Sequence, residues 1–409
     1  MRIVFLQDDF PPHAKGGAGI VAATLARELT KRGHELTVVT CVQDKSLAGS
    51  FQEEGMRVER IYSDYAQRWR SWRSLYNPAT VGRIKEILVE VKPDVVHAHN
   101  VHYHLSYWSL RLARKSGAKV FLTVHDVMLF HYGKLTENTP KDCESPRNYR
   151  VSAWQQMRRY RFWYNPIRNI VIRRLLKNVT RIFTVSEALK EALKQNGIKN
   201  VEVIHNGIDA ADWEVSSEKV EAFVREHGLE NKKVILFGGR ISAPKGGEVI
   251  LEAIREIARK EVKVTLLLLG KHDEYIQRLL RQAEDGGFGD HVVSAGWVSG
   301  NSLKAAYHAA TIVAVPSQYL DPFPTVVLEA MACGKPVVGG CFGGIPEMVE
   351  DGKTGCIIFP KDAHVLAERV IRLLKDESQC LQMGRQARAH VESFLLSDWC
   401  TATLRAYNG

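Results

Sequence analysis

The sequence predicts an α/β protein built on two doubly wound parallel sheets, from three observations. Short apolar runs alternate with helical patterns along the chain, the rhythm of strand–helix–strand units. The 409 residues suffice for two domains of about 200 each. A glycine-rich turn lies after the first strand of each half, at Gly16-Gly17 and Gly238-Gly239. Open sheets of this kind bind ligands beyond the carboxyl ends of their strands.

Composition narrows the function. Apolar residues make up 45% and charged residues 25%, as in a soluble globular chain. Apolar runs such as 265–269 are too short to span a bilayer. Residues 1–10 hold one basic residue and then Asp8-Asp9, which predicts no secretory signal. The seven cysteines show neither C-x-x-C pairs nor metal spacing, predicting reduced thiols in a cytoplasmic protein. The net charge is +10, and it is concentrated. Residues 147–179 hold nine Arg or Lys, no acid, and interleaved Tyr149, Trp154, Tyr160, Phe162, Trp163 and Tyr164; 68–73 is a smaller basic cluster with Trp69 and Trp72. Such stretches predict an anionic partner: a lipid surface, a pyrophosphate-linked acceptor or nucleic acid.

In chain order, Arg2 to Leu6 reads as a buried first strand. After Gly16-Gly17 a helix is predicted from about Ile20 to Lys31, with Val21, Leu25, Ala26 and Leu29 at helical spacing. Glu35 to Thr40 is the next strand. Gly17, Gly19 and Ala22 fit G-x-G-x-x-A, but about ten loop residues precede them and no acid ends the second strand, which argues against a dinucleotide site. Pro93 to His99 is a strand. Its neighbouring histidines (97, 99, 102, 104) lack acidic or cysteine partners, so no metal is read. Val120 to Val124 is a strand that ends in His125-Asp126. Residues 133–165 read as an irregular, partly helical insert. Asn165-Pro166 then starts a helix predicted to bury Ile167, Ile170, Val171 and Leu175. Arg181 to Val185 and Val201 to Ile204 are strands.

The second half restarts with a strand from Lys233 to Phe237. Arg240 and Lys245 follow as two cations beside a glycine turn, a cradle for a diphosphate. Val264 to Leu269 and His291 to Ser294 are strands, and Gly296-Trp297-Val298 is a turn. Thr311 to Val315 leads into a loop with prolines at 316, 322 and 324 and one acid, Asp321. A short helix runs from about Thr325 to Cys333 and carries Glu329. Gly334 is placed as its left-handed cap, and a strand starts at Pro336. The free N–H groups at this helix start suit a phosphate, and a carboxylate accepts two hydrogen bonds from a vicinal diol. Together they predict a sugar-nucleotide site.

Pro316-Ser317, Phe323, Glu329-Ala330-Met331-Ala332, Gly334 and Pro336-Val337-Val338 resemble the signature of the family-4 retaining glycosyltransferases, which have the two-domain GT-B fold. The chain departs from the pattern with Asp321 for a Glu and Pro324 for a Gly, and Asp321 shortens the arm toward the donor sugar. The resemblance implies two Rossmann-like domains facing across a cleft: an acceptor-side domain, 1–207, and a nucleotide-sugar domain, 208–389, with the C-terminal helix 390–409 packing back on the first. It implies a nucleotide-diphosphate sugar donor. Glu329 would hold the ribose diol, Asp321 the sugar hydroxyls, and Arg240 and Lys245 the diphosphate. Gly16 and Gly17 would lie by the β-phosphate, His125 by the sugar, Asn206 at the domain junction and Val298 by the base. Phe323, Pro324, Thr325 and Val326 would line the donor site. His125, Asp321, Arg240 and Lys245 are the catalytic candidates, and no metal or other cofactor is expected.

The acceptor is expected to be a hydroxyl of a lipid-linked or cell-envelope glycan, reached peripherally at the inner membrane face. Alternatives are a GT-B sugar-nucleotide epimerase, a sucrose- or glycogen-type synthase on a soluble substrate, and, more distantly, an RNA-binding protein. Nucleic acid is not the expected partner, because it leaves Arg240, Lys245 and Glu329 unexplained.

Overall fold

The structure, a computed structural model, describes residues 1–14, 16–138, 140–260 and 263–409. The chain forms two units. One comprises Met1–Glu137, Asn148–Gly207 and Leu396–Gly409, the other Asn138–Arg147 and Ile208–Leu395. The ten residues 138–147 thus leave the insert of the first unit and group with the second.

The first unit holds β1 (Arg2–Leu6), β2 (Glu35–Val42), β3 (Gly49–Glu53), β4 (Met56–Tyr62), β5 (Val95–Ala98), β6 (Lys119–Val124), β7 (Arg181–Thr184) and β8 (Val201–Val203). Their order is β3-β4-β2-β1-β5-β6-β7-β8. All pairs are parallel except the β3–β4 edge hairpin, turned at Glu54-Gly55 with positive φ at both residues. The order reverses between β1 and β5, so the loops after these two strands flank the switch point. Ile3 and Phe5 of β1 pack against the helix Gly17–Lys31 and against Trp399, Cys400 and Tyr407 of the C-terminal helix Leu396–Asn408.

The second unit holds β9 (Lys233–Gly238), β10 (Val264–Leu269), β11 (Val292–Gly296), β12 (Ile312–Val315), β13 (Val337–Gly340) and β14 (Gly355–Ile358). The six-stranded order β11-β10-β9-β12-β13-β14 is the doubly wound 3-2-1-4-5-6 pattern. Its reversal lies between β9 and β12, whose pairing aligns Ile235 with Ile312 and Leu236 with Val313. Every residue of β10 is buried, as expected for a parallel strand covered on both faces.

Two expectations need correction. The helix after Pro166 spans Arg168–Leu176 and buries Arg168, Ile172, Leu175 and Leu176. Ile167 and Ile170 are 50% and 62% exposed. Arg168, Ile172 and Leu175 share a face at i, i+4 and i+7, and that face turns inward despite its charge. The cysteines are not all reduced. Cys143 and Cys341, 198 residues apart, form a disulfide within the second unit. Arg147 reinforces it, donating to the carbonyls of Cys143 at 2.8 Å and Cys341 at 3.2 Å.

A disulfide closing so long a loop contributes about 2–4 kcal/mol. Cys143→Ser is therefore expected to melt several degrees below the wild type. A reductant should lower the melting temperature of the wild type and leave that of the variant unchanged. A wild type insensitive to reductant would contradict this.

Candidate functional site

In the second unit, loops after β9, β12 and β13 converge at the carboxyl edge of the sheet. The loop after β12 is tied to the one after β9 by Gln318 N–H, which donates to the Pro244 carbonyl at 2.8 Å. The Lys245 ammonium lies 2.5 Å from Asp321 Oδ2. Ser317 Oγ donates to the same oxygen at 2.8 Å. The loop after β13 closes the third side, with Gly344 N–H donating to the Asp321 carbonyl at 2.9 Å. Two glycines are obligatory here. Gly246 (φ +92°) and Gly343 (φ +75°) have left-handed backbones, and a Cβ at either would strike a backbone carbonyl, that of Pro316 or Asp321. The convergence of the loops thus rests on residues without side chains.

Asp321 is buried and Lys245 half-buried. Burial works against the Lys245 ammonium, but the Asp321 charge, helped by Tyr319, outweighs it and holds the lysine above its ordinary pKa. Lys245 is therefore a fixed cation at neutral pH. Arg240, exposed at the end of β9, is a second cation on the same edge.

The helix Thr325–Ala332 starts beside this pair. Pro324 occupies its N-cap and supplies no side-chain acceptor, so the first N–H groups stay available, at Thr325 and Val326. Both residues are half-buried, whereas Phe323 is buried and packs edge-on against Phe394. One turn on, Glu329 Oε2 accepts the Tyr307 hydroxyl at 2.5 Å. Burial raises the Glu329 pKa, while the hydroxyls of Tyr307 and Thr325 pull it back. Val298 lies just past β11, two strands from β9 at the same edge. Tyr307 and Ser317 are the residues sequence reasoning missed. Ser317 stood in the quoted motif without a role. Tyr307 sits on a separate helix with no local signal of its partner.

The first unit holds the other candidates. Gly16 caps the helix Gly17–Lys31, and Gly17 is exposed with none of the described residues within 4 Å of where a Cβ would stand. Protein packing does not require Gly17; at Gly19 a Cβ would press on the Asp9 carbonyl. His125 follows β6, and its Nε2 lies 2.9 Å from His99 Nδ1. Burial, opposed by Asp126, lowers the pKa of His125 to about 4, so its imidazole is neutral at pH 7. Asn206 is buried, its Oδ1 without a hydrogen-bond partner among the described residues.

The same end of this sheet holds further buried titratable groups. His97, between Tyr407 Oη and Thr123 Oγ1, is lowered to about 3 by burial. His99 and His102 are also lowered, first by burial. These folded-state pKa values lie below the unfolded one, so the stabilisation is full above about pH 6.5 and falls as pH drops through that value toward 4. Each histidine steepens the slope by about 1.4 kcal/mol per pH unit. Asp8 acts in the opposite sense. Burial raises it to about 7 against three N–H donors, from Tyr103, His104 and Leu105. The melting temperature should therefore fall between pH 6.5 and 4, with a shallower slope in His97→Gln. Equal slopes would contradict the neutral buried state of His97.

Among the described residues no group of three or more His, Cys, Asp or Glu is placed to hold a metal ion. No helix among them is long and apolar enough to cross a membrane.

Known proteins match along most of the chain. Residues 15–212 match the family described as Glycosyltransferase Family 4, and residues 219–390 the family described as Glycosyl transferases group 1. An uncharacterized glycosyltransferase of Methanocaldococcus jannaschii is 28% identical over 384 residues, 92% of this chain and 90% of that one. A glycogen synthase of Mycobacterium tuberculosis is 26% identical over 436 residues, 100% of this chain and 94% of that one. HepE of Anabaena, solved with UDP, superposes with TM-score 0.74 at 21% identity over 100% of both chains. Sucrose-phosphate synthase of Thermosynechococcus elongatus gives TM-score 0.79 at 20% identity over 100% of this chain and 98% of that one.

Proposed function

The chain belongs to the family-4 glycosyltransferases of GT-B fold, and from that premise we propose that it moves a sugar, with retention, from a nucleotide-diphosphate sugar to an acceptor hydroxyl. The observation that carries this reading is the cluster of Lys245, Asp321 and Glu329 around a free helix start at the switch point of the second sheet. Glu329 accepts the ribose diol, in line with the Tyr307 hydroxyl it already holds. Asp321 accepts hydroxyls of the sugar. Arg240, Lys245 and the N–H groups of Thr325 and Val326 receive the diphosphate.

In the reaction the bond from the anomeric carbon to the diphosphate oxygen breaks, and the new bond forms from the acceptor oxygen on the same face. The acceptor proton passes to the departing phosphate oxygen. Negative charge grows on the leaving diphosphate, where the fixed cation Lys245 and the helix start stabilise it. These cations supply the positive charge that the step needs, so we assign it no divalent ion. In the first unit, His125 offers a neutral imidazole to a sugar hydroxyl, and the open space at Gly17 admits phosphate or acceptor.

The acceptor we favour is lipid-linked or part of a cell-envelope glycan, met by a peripheral protein at the inner membrane face. Trp154, Phe162, Trp163 and Ile170 support this: they are 69%, 97%, 49% and 62% exposed, beside Arg158, Arg159 and Arg161. Aromatic rings seat at headgroup level and arginines seek phosphate. A soluble acceptor is the second reading, favoured by the glycogen synthase relative.

The test is transfer from a panel of sugar nucleotides with the product's anomeric configuration read by NMR, with and without EDTA. Retention and EDTA-insensitive turnover are expected. An inverted product, or turnover abolished by EDTA, would overturn the mechanism.

A further inference from the structure

The two basic aromatic stretches of the sequence each send one arginine into the interior of the first unit. Arg168 is 0% exposed and Arg70 is 9% exposed. They meet at Met128. Arg168 Nη2 donates to the Met128 carbonyl, and Arg70 Nη2 lies 3.6 Å from its sulfur. The Tyr132 ring centroid is 5.6 Å from one guanidinium carbon and 5.9 Å from the other. Arg70 also stacks on Tyr103 at 3.4 Å.

Among the described residues neither guanidinium has a carboxylate in ion-pair contact. Asp126 acts on both only at longer range, and both cations draw its pKa down against the rise that burial causes. Aromatic faces, a thioether, the Met128 carbonyl and Asn169 Oδ1, which accepts from Arg168 Nη1 at 3.1 Å, are thus the main surroundings of two buried like charges, and all of them are neutral. Such a pair repels and is poorly solvated, and an anion is what compensates it. The unpaired groups nearby are mostly donors. Among the described residues, Arg70 Nε, Arg168 Nε and Asn165 Nδ2 are buried without hydrogen-bond partners, as are the hydroxyls of Tyr164 and Ser71. A region rich in buried donors and poor in acceptors is built for an oxyanion.

We propose that Arg70 and Arg168 form an anion subsite in the first unit that takes a phosphate group of the acceptor. Two cations match a phosphate monoester dianion or a diphosphate; a lone carboxylate balances only one. The subsite adjoins His102, whose Nε2 is 3.4 Å from Asp126 Oδ2, and so flanks the His125-Asp126 strand end. In the glycosyltransferase reading this puts the acceptor phosphate in the same unit as His125. The inference deepens the glycosyltransferase reading and rests on it for the word acceptor; the anion site itself does not.

The probe is inorganic phosphate, followed by thermal shift on the full chain. Phosphate should raise the melting temperature of the wild type and of Arg240→Gln. In Arg70→Gln its apparent Kd should weaken at least about tenfold, while stabilisation by a nucleoside diphosphate stays at the wild-type level. Arg70→Gln carries the test because Arg168→Gln removes a fully buried strut and is prone not to fold. Equal phosphate stabilisation in Arg70→Gln and wild type would overturn the subsite. Loss of the effect in Arg240→Gln alone would do the same, by moving the phosphate to the diphosphate cradle. A phosphate effect without any nucleotide effect would keep the subsite and refute the donor reading. Vesicles of phosphatidylcholine with phosphatidic acid, a phosphate monoester, separate the sources: binding lost in Arg70→Gln assigns a lipid phosphate, and vesicle binding unchanged beside a lost phosphate effect assigns a soluble phosphorylated acceptor.

Discussion

Lys245→Met is expected to cut sugar transfer by about a thousandfold, mainly in kcat, because the cation acts where charge grows on the leaving diphosphate. It should also lower stability by about 3–5 kcal/mol. Asp321 is 7% exposed at its side chain and Lys245 20%, so removing the lysine strands a buried carboxylate. Asp321→Asn should likewise lower turnover, since the amide is neutral and offers sugar hydroxyls one acceptor oxygen where the carboxylate offers two. The double variant Lys245→Met with Asp321→Asn separates the roles. It should recover most of the lost stability, because no unpaired charge remains, and none of the lost transfer. Recovery of both would reduce the pair to a structural ion pair. Unchanged turnover in either single variant would remove these residues from the site.

Glu329→Ala is expected to act differently. Its carboxylate is assigned to the ribose diol, a contact equal in ground and transition states. Two charge-assisted hydrogen bonds are worth about 3 kcal/mol, so donor affinity should fall about a hundredfold. KM should rise with kcat nearly unchanged. Tyr307→Phe removes only the hydroxyl that orients the carboxylate at 2.5 Å, and about a tenfold loss is expected. A Glu329→Ala protein whose KM matches the wild type would displace the ribose from this helix.

The strands that carry the site were legible because they are continuous apolar runs. The stretch from Thr311 through the three prolines to Val338 announced its strand, loop, helix and strand in order, down to Gly334, whose φ is +65°. Strands β3 and β4 were not read. β3 is Gly-Ser-Phe-Gln-Glu on an exposed edge, and it lacks an apolar face to signal itself. The helix Arg168–Leu176 shows a deeper limit. Both Ile167-Ile170-Val171 and Arg168-Ile172-Leu175 satisfy helical spacing, and hydrophobicity favours the wrong face. The face turned inward contains a cation, and it lies against tyrosines remote in sequence, Tyr107 and Tyr132. The Cys143–Cys341 bridge, whose ends are 198 positions apart, likewise has no local signature. In the site, motif residues were legible singly. That Lys245 and Asp321 hold each other, and that Tyr307 holds Glu329, depends on which strands are neighbours.

The most direct test is a thermal-shift titration of the full chain with UDP, GDP, ADP, CMP and dTDP, each beside a matching sugar nucleotide, repeated on Glu329→Ala. A nucleotide at about a hundred times its Kd adds roughly 2.7 kcal/mol, enough to move the melting temperature by several degrees. The predicted result is a shift with one base, larger for its sugar nucleotide and lost in Glu329→Ala. The same shift in Glu329→Ala as in the wild type, or no shift with any of them, would contradict a donor site at the start of this helix.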